Sequence, residues 1–223
     1  MLVTLPVYSK GKEKGVLHLW LTDNTHIADI GPVSGDDDVA ASALLYKSGE
    51  SGDANNEELI ALYEKKKGAG ATPSPGMVSV RLTEQLQRVK DVLTTWREVD
   101  ERVSKLCLTS IAAVSKSSDT ACTPLKITDG LVGFLSGNFS GNTWKDEYLG
   151  VNATVTKGKN EVATGYPNGV KFTGRGAEAE WPVGKQGENQ LYHFANYNFT
   201  LVATVSIDDE PKGDTPIPLI GVR

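Results

Sequence analysis

The chain has 223 residues, a formal net charge of −5 and 39% hydrophobic content. Those values suit one large globular domain or two small ones, and the acidic balance argues against nucleic acid or an anionic membrane as partner. No stretch approaches the roughly 20 apolar residues of a membrane span, so no direct membrane insertion is expected. The opening, MLVTLPVYSKGKEKGVLHLW, lacks the charged and apolar regions of a secretory leader, and TPIPLIGVR at the end does not resemble a lipid-anchor signal.

Residues 1–64 read as short strands punctuated by turns. GVLHLWLTD places apolar side chains on both faces, as a buried central strand does, so His18 is expected to be a core histidine with a hydrogen-bond partner. SALLYKS and EELIALYEK flank the polar GESGDANN and predict an antiparallel hairpin with a long connection. The acidic run Asp36 to Asp38 reads as a solvated turn, with a weak cation site as the alternative, and Lys65 to Lys67 as a solvated strand end.

From Leu82 the periodicity changes. Apolar residues fall at 82, 86, 89, 93, 96, 99, 103 and 106, steps of three and four that only an α-helix gathers on one face. Glu84/Arg88, Glu98/Arg102 and Glu101/Lys105 place acid before base at the favourable i,i+4 spacing. A single helix of about seven turns follows, packed between two β units; a coiled-coil partner is the alternative reading.

Cys107 and Cys122 lack the spacing of a zinc site, and His18, His26 and His193 are scattered, so neither a metal nor a cofactor is expected. A Cys107–Cys122 disulfide is expected, worth about 3 kcal/mol for a loop of this size, with two unpaired thiols as the alternative. Strand patterns resume after Cys122. NFTLVATVSI predicts a half-buried strand with Phe199, Leu201, Ala203, Val205 and Ile207 inward, and Asn198 and Thr200 in solvent. Gly-rich turns between such strands favour a sandwich. Three sequons, at Asn138, Asn152 and Asn198, are N-glycosylation candidates in a chain that enters the secretory pathway. Turn-borne Trp181, Tyr166 and Arg175 are candidate carbohydrate contacts, because aromatic faces stack on sugars and guanidinium supplies planar donors. The competing reading makes Trp181 and Phe194 core residues.

LHLWLTDN, SALLYK, VRLTEQLQRVKDVLTTWREVDERVSKLC, GLVGFLS and WPVGKQGENQLYHFANYNFTLVATVSI together resemble the trypanosomal trans-sialidase superfamily, in particular its non-catalytic surface-glycoprotein branch. The resemblance runs over essentially the whole chain. It implies a mainly β fold: partial β-propeller blades over residues 1–80, one long connecting α-helix over 81–107, and part of a concanavalin A-like β-sandwich over 108–223. For the full-length family it further implies a lipid-anchored cell-surface glycoprotein, with host-cell surface or matrix glycoproteins as partners and roles in adhesion and immune evasion. Signals for secretion and anchoring are expected in regions of such a protein outside these residues.

Sialidase chemistry needs arginines for the substrate carboxylate, an acid/base carboxyl, and a tyrosine nucleophile beside a glutamate. The resemblance puts the arginines, the acid and the glutamate on blades ahead of Met1, and the SxDxGxxW box of the propeller does not occur. Aligning VRLTEQL with the strand-to-helix junction of active relatives places the nucleophile six residues before Arg81, at Pro75. Proline offers no nucleophile. The nearest upstream tyrosine, Tyr63, alternates with apolar neighbours and reads as a packing residue. The family's adhesion motif VTVxNVxLYNR does not occur up to Arg223. The expectation is a chain without sialidase activity, against two alternatives: a remnant of an active exo-alpha-sialidase or trans-sialidase, and a lectin-like carbohydrate-binding module.

Overall fold

The computed structural model describes residues 1–8, 15–35, 37–49, 57–65, 76–110, 128–156, 162–173, 176–182, 184, 197–208 and 219–221. The side chains of residues 40, 106–110 and 162 are also outside the description. Structural statements concern the described residues.

The first sheet joins β1 (Leu2–Tyr8), β2 (Gly15–Thr22) and β3 (Ile27–Pro32) in that order, all antiparallel. The second joins β4 (Val39–Lys47), β5 (Glu58–Lys65) and β6 (Gly76–Arg81), also antiparallel. GVLHLWLTD is thus a central strand, and the expected hairpin forms with Lys47 opposite Glu58. The first sheet buries Leu17, Leu19, Leu21, Ala28 and Ile30, and the second buries Leu59, Ala61 and Tyr63. Thr4 and Ser42 share a hydrogen bond between the two sheets. The reverse face of the second sheet leaves Leu45, Leu62 and Met77 exposed.

Two polar readings change. His18 has the partner its environment demands, Asp29 at 2.9 Å, but it stands on the half-buried outer face of β2 rather than among the core leucines. Alternation forces this, because Leu17 and Leu19 take the inward positions. Nor are the described aspartates of the acidic run merely solvated: Asp38 Oδ1 accepts the Gly15 N–H at 3.2 Å, and Asp37 accepts the Tyr63 hydroxyl and pairs with Lys65. Lys65 is therefore a tethered strand end. The turn is recruited because buried strand ends leave donors that need acceptors. Among the described residues no cluster of three metal-ligating side chains occurs.

The apolar stripe after β6 forms α1, Thr83–Ser110, of 28 residues. Val89, Val92, Trp96, Val99 and Val103 are buried on its inner face, with Leu86 and Leu93 packed beside them. Burying each such side chain contributes roughly 1.5–3 kcal/mol, which holds the helix far more firmly than propensity alone. Lys105 and Glu101 make the expected i,i+4 pair at 2.7 Å, whereas Arg102 reaches Glu147 at 3.0 Å in the second β unit. That long-range pair and the buried stripe place the helix between β units, its apolar face covered by β3 and β5 of the same chain.

The second unit contains β7 (Leu135–Ser140), β8 (Thr143–Asp146), β9 (Ala153–Thr156), β10 (Val162–Tyr166), β11 (Gly169–Thr173) and β12 (Glu178–Glu180). One sheet has the order β12-β9-β8-β7, and β10-β11 is a separate hairpin. A Cβ on Gly137 would lie 2.4 Å from the Pro167 carbonyl oxygen, so the hairpin turn approaches β7 as closely as only glycine permits. The strand expected over NFTLVATVSI does not form. Its described residues carry no ladder, and residues of both parities are exposed: Leu201 at 49% and Val202 at 85%. Alternation makes a strand only where a neighbouring strand and a covering layer are present.

Candidate functional site

The sialidase question centres on the end of β5 and the start of α1. Pro75 lies outside the described residues. Tyr63 is 3% exposed, and its hydroxyl donates to Asp37 Oδ2 at 3.1 Å. Burial, then the bond and the charge of Asp37, raise this phenol above its ordinary range. A group so enclosed is a packing residue and a poor nucleophile.

A second tyrosine escaped sequence reasoning. Tyr46 on β4 is exposed, and its phenol is raised by desolvation and by a hydrogen bond and charge from Glu57. Glu57 itself is held low by its bond to Lys90, at 2.5 Å. Glu57 and Lys90 line a shallow cleft together with Glu58, Arg81, Thr83 and Gln87. Arg81 donates to Glu58 at 2.6 Å. Both cations of the cleft thus already hold a carboxylate, so neither is preset for a substrate carboxylate. The legible signal was the hairpin, since pairing Tyr46 with Leu59 brings Glu57 and Glu58 to the same strand end.

The second unit is organised around Asp146, 2% exposed. Its Oδ1 accepts the N–H groups of Phe134 at 2.7 Å and Tyr148 at 3.3 Å, and Oδ2 accepts that of Gly150 at 3.0 Å. Three donors replace the water that a buried carboxylate loses. Asn152 Oδ1 accepts the Asp146 N–H at 3.0 Å. The loop so fixed delivers Tyr148 to the helix: Trp96 Nε1 donates to the Tyr148 carbonyl at 2.8 Å, and the Tyr148 hydroxyl donates to Asp100 Oδ1 at 2.5 Å. His26, from the β2–β3 turn, stacks on Tyr148 with ring centres 4.2 Å apart and lies 5.1 Å from Trp96. Asp23 holds His26 through its backbone N–H and Nδ1. First unit, helix and second unit meet at these three rings.

Burial first, then the bond and charge of Asp100, push the Tyr148 phenol far above its usual range. A phenol raised in the folded state stabilises the fold fully below its unfolded pKa, about 10, and this contribution disappears as pH rises through the folded value. Chemical unfolding followed from pH 8 to 12 is therefore expected to show a decline above about pH 10 that is shallower in Tyr148→Phe. Equal slopes for both proteins would contradict this role.

Trp181 is half-buried and its indole donates to the Val151 carbonyl at 2.6 Å, so it serves the second unit's own packing. Tyr166, at the tip of the β10–β11 hairpin, is 53% exposed. Arg175 is outside the described residues, as are Cys122 and the side chain of Cys107. No described contact brings Trp181 and Tyr166 together. The sequon residues Asn138, Asn152 and Asn198 are all exposed.

Two antiparallel sheets tied by a long helix to a further β unit define a mainly β protein of sialidase architecture. Residues 1–64 match the BNR repeat-like domain and residues 127–223 the trans-sialidase C-terminal domain. Sialidase 85-1.1 of Trypanosoma cruzi is 34% identical over 222 residues, covering 97% of this chain and 25% of that protein. A second Trypanosoma cruzi sialidase is 33% identical over 219 residues, covering 97% of this chain and 17% of its own length. Trypanosoma rangeli sialidase, solved with sialic acid, superposes with a TM-score of 0.65 at 37% identity, over 88% of this chain and 28% of that one. The chain belongs to the trypanosomal sialidase and trans-sialidase family. It spans a quarter or less of the length of these two curated relatives.

Proposed function

We propose that the chain is a non-catalytic part of a sialidase-like, lipid-anchored surface glycoprotein whose work is attachment to host-cell or matrix glycoproteins and immune evasion. The observation that carries the non-catalytic reading is Pro75, six residues before Arg81 where active relatives are expected to place their nucleophile. The surroundings support it. Tyr63 is enclosed by the core, and the cleft cations Lys90 and Arg81 are engaged by Glu57 and Glu58. Catalytic groups of this kind act as a unit, so a tyrosine by itself recovers little.

The test is release of a fluorescent leaving group from a sialoside, run beside transfer of sialic acid to lactose. A flat trace is expected for the chain and for Pro75→Tyr. Turnover above a denatured control, abolished by Tyr63→Phe or Tyr46→Phe, would restore the reading of an active sialidase remnant. The lectin-like alternative rests on Tyr166, whose exposed ring is available for stacking on a sugar face.

A further inference from the structure

The sheet β12-β9-β8-β7 has two unlike faces. Phe139 pairs with Trp144, and Trp144 with Ala153, on the face that packs against the β10–β11 hairpin through Trp144 and Phe172. Alternation sends Asn138, Ser140, Lys145, Asn152, Thr154 and Glu180 to the opposite face. Every one of these is polar and exposed. Two of the three sequons thus present both the acceptor asparagine and the hydroxyl residue on one side of one sheet. Lys145 lies on β8, the strand between β7 with Asn138 and β9, which Asn152 directly precedes, and all three residues sit next to the Phe139, Trp144, Ala153 row on the opposite face. Two strand spacings, about 10 Å, separate the flanking strands across the sheet, with the strand of Lys145 between them. The bond from the Asp146 N–H uses Asn152 Oδ1 and leaves Nδ2, the atom that a glycan would take, uncommitted to it.

We infer that this face is a glycan shield, carrying N-linked oligosaccharides side by side at Asn138 and Asn152 and closing the surface over Lys145. The inference rests on the proposal that the protein is a surface glycoprotein. It assigns the partner-binding role to other surfaces, because a protein approaching this sheet would meet two oligosaccharides first. The apolar content of the opposite face explains the asymmetry, since only the polar side can carry bulky hydrated groups without disturbing the packing of Phe139 and Trp144.

The chain is secreted from eukaryotic cells behind an appended leader, and N-glycosidase digestion in heavy-oxygen water marks each formerly glycosylated asparagine. Marks at both Asn138 and Asn152 are expected, together with a several-fold lower reactivity of Lys145 toward an amine-acylating reagent than in the Ser140→Ala/Thr154→Ala variant, read on the folded protein by peptide mass. Asn198, outside this sheet, is the internal reference. Asn198 marked without both Asn138 and Asn152, or a Lys145 reactivity unchanged by loss of the two sequons, overturns the shield. No mark at any of the three sites overturns the glycoprotein reading beneath it.

Discussion

Asp146→Ala is expected to lower the stability of the chain by about 3–5 kcal/mol, seen as a large fall in the urea midpoint, because it strands three backbone donors at about 1–3 kcal/mol each. Phe134, Tyr148 and Gly150 donate to this one side chain, and the site is too enclosed for water to substitute freely. Asp146→Asn keeps one oxygen acceptor but turns an amide NH₂ toward a donor, so an intermediate loss is expected. The order Asp, then Asn, then Ala is the discriminating result. A loss below about 1 kcal/mol for Asp146→Ala would mean that the loop does not depend on its central carboxylate.

Trp96→Ala is expected to cost a comparable 3–5 kcal/mol, the range for removing a large buried aromatic. The location of the damage matters more than its size. Trp96 touches His26 on one side and holds the Tyr148 carbonyl on the other, so its removal leaves a cavity and an unpaired acceptor at the meeting point of three segments. Hydrogen exchange should rise both in the β2–β3 turn and in the 146–152 loop, although these are far apart in sequence. Trp96→Phe retains apolar contact but lacks the indole donor, and should loosen the 146–152 loop more than the turn. Faster exchange confined to α1 in both variants would refute a junction built on this ring.

Trypanosomal relatives are described as sialidases, and the solved Trypanosoma rangeli sialidase binds sialic acid. The present chain keeps the architecture at 34–38% identity while carrying proline at the expected nucleophile position. Architecture depends on many apolar positions that tolerate substitution, whereas a nucleophile depends on one side chain.

Local periodicity determined much of the fold by itself. The central strand at Leu17 to Leu21, read from apolar residues on both its faces, the hairpin of SALLYKS and EELIALYEK, read from the polar connection between them, and the helix with Trp96 on its inner face, read from steps of three and four, all follow from local pattern. Pro75, the three sequons and the family resemblance are likewise properties of the residue string. What only the tertiary structure decided is where isolated polar groups go. Nothing in the string says that Asp37 receives Tyr63, that Asp146 gathers three N–H groups, or that His26 stacks on Tyr148 beside Trp96. Asp37 and Tyr63 lie 26 residues apart and Trp96 and Tyr148 lie 52 apart, whereas the donors to Asp146 come from within 12 residues; in each case the pairing is enforced by the need to satisfy donors and acceptors wherever the chain happens to bury them. The same reason undoes the strand expected over residues 198–207: alternation is a property of the sequence, but a ladder requires a neighbour that only the assembled fold can supply.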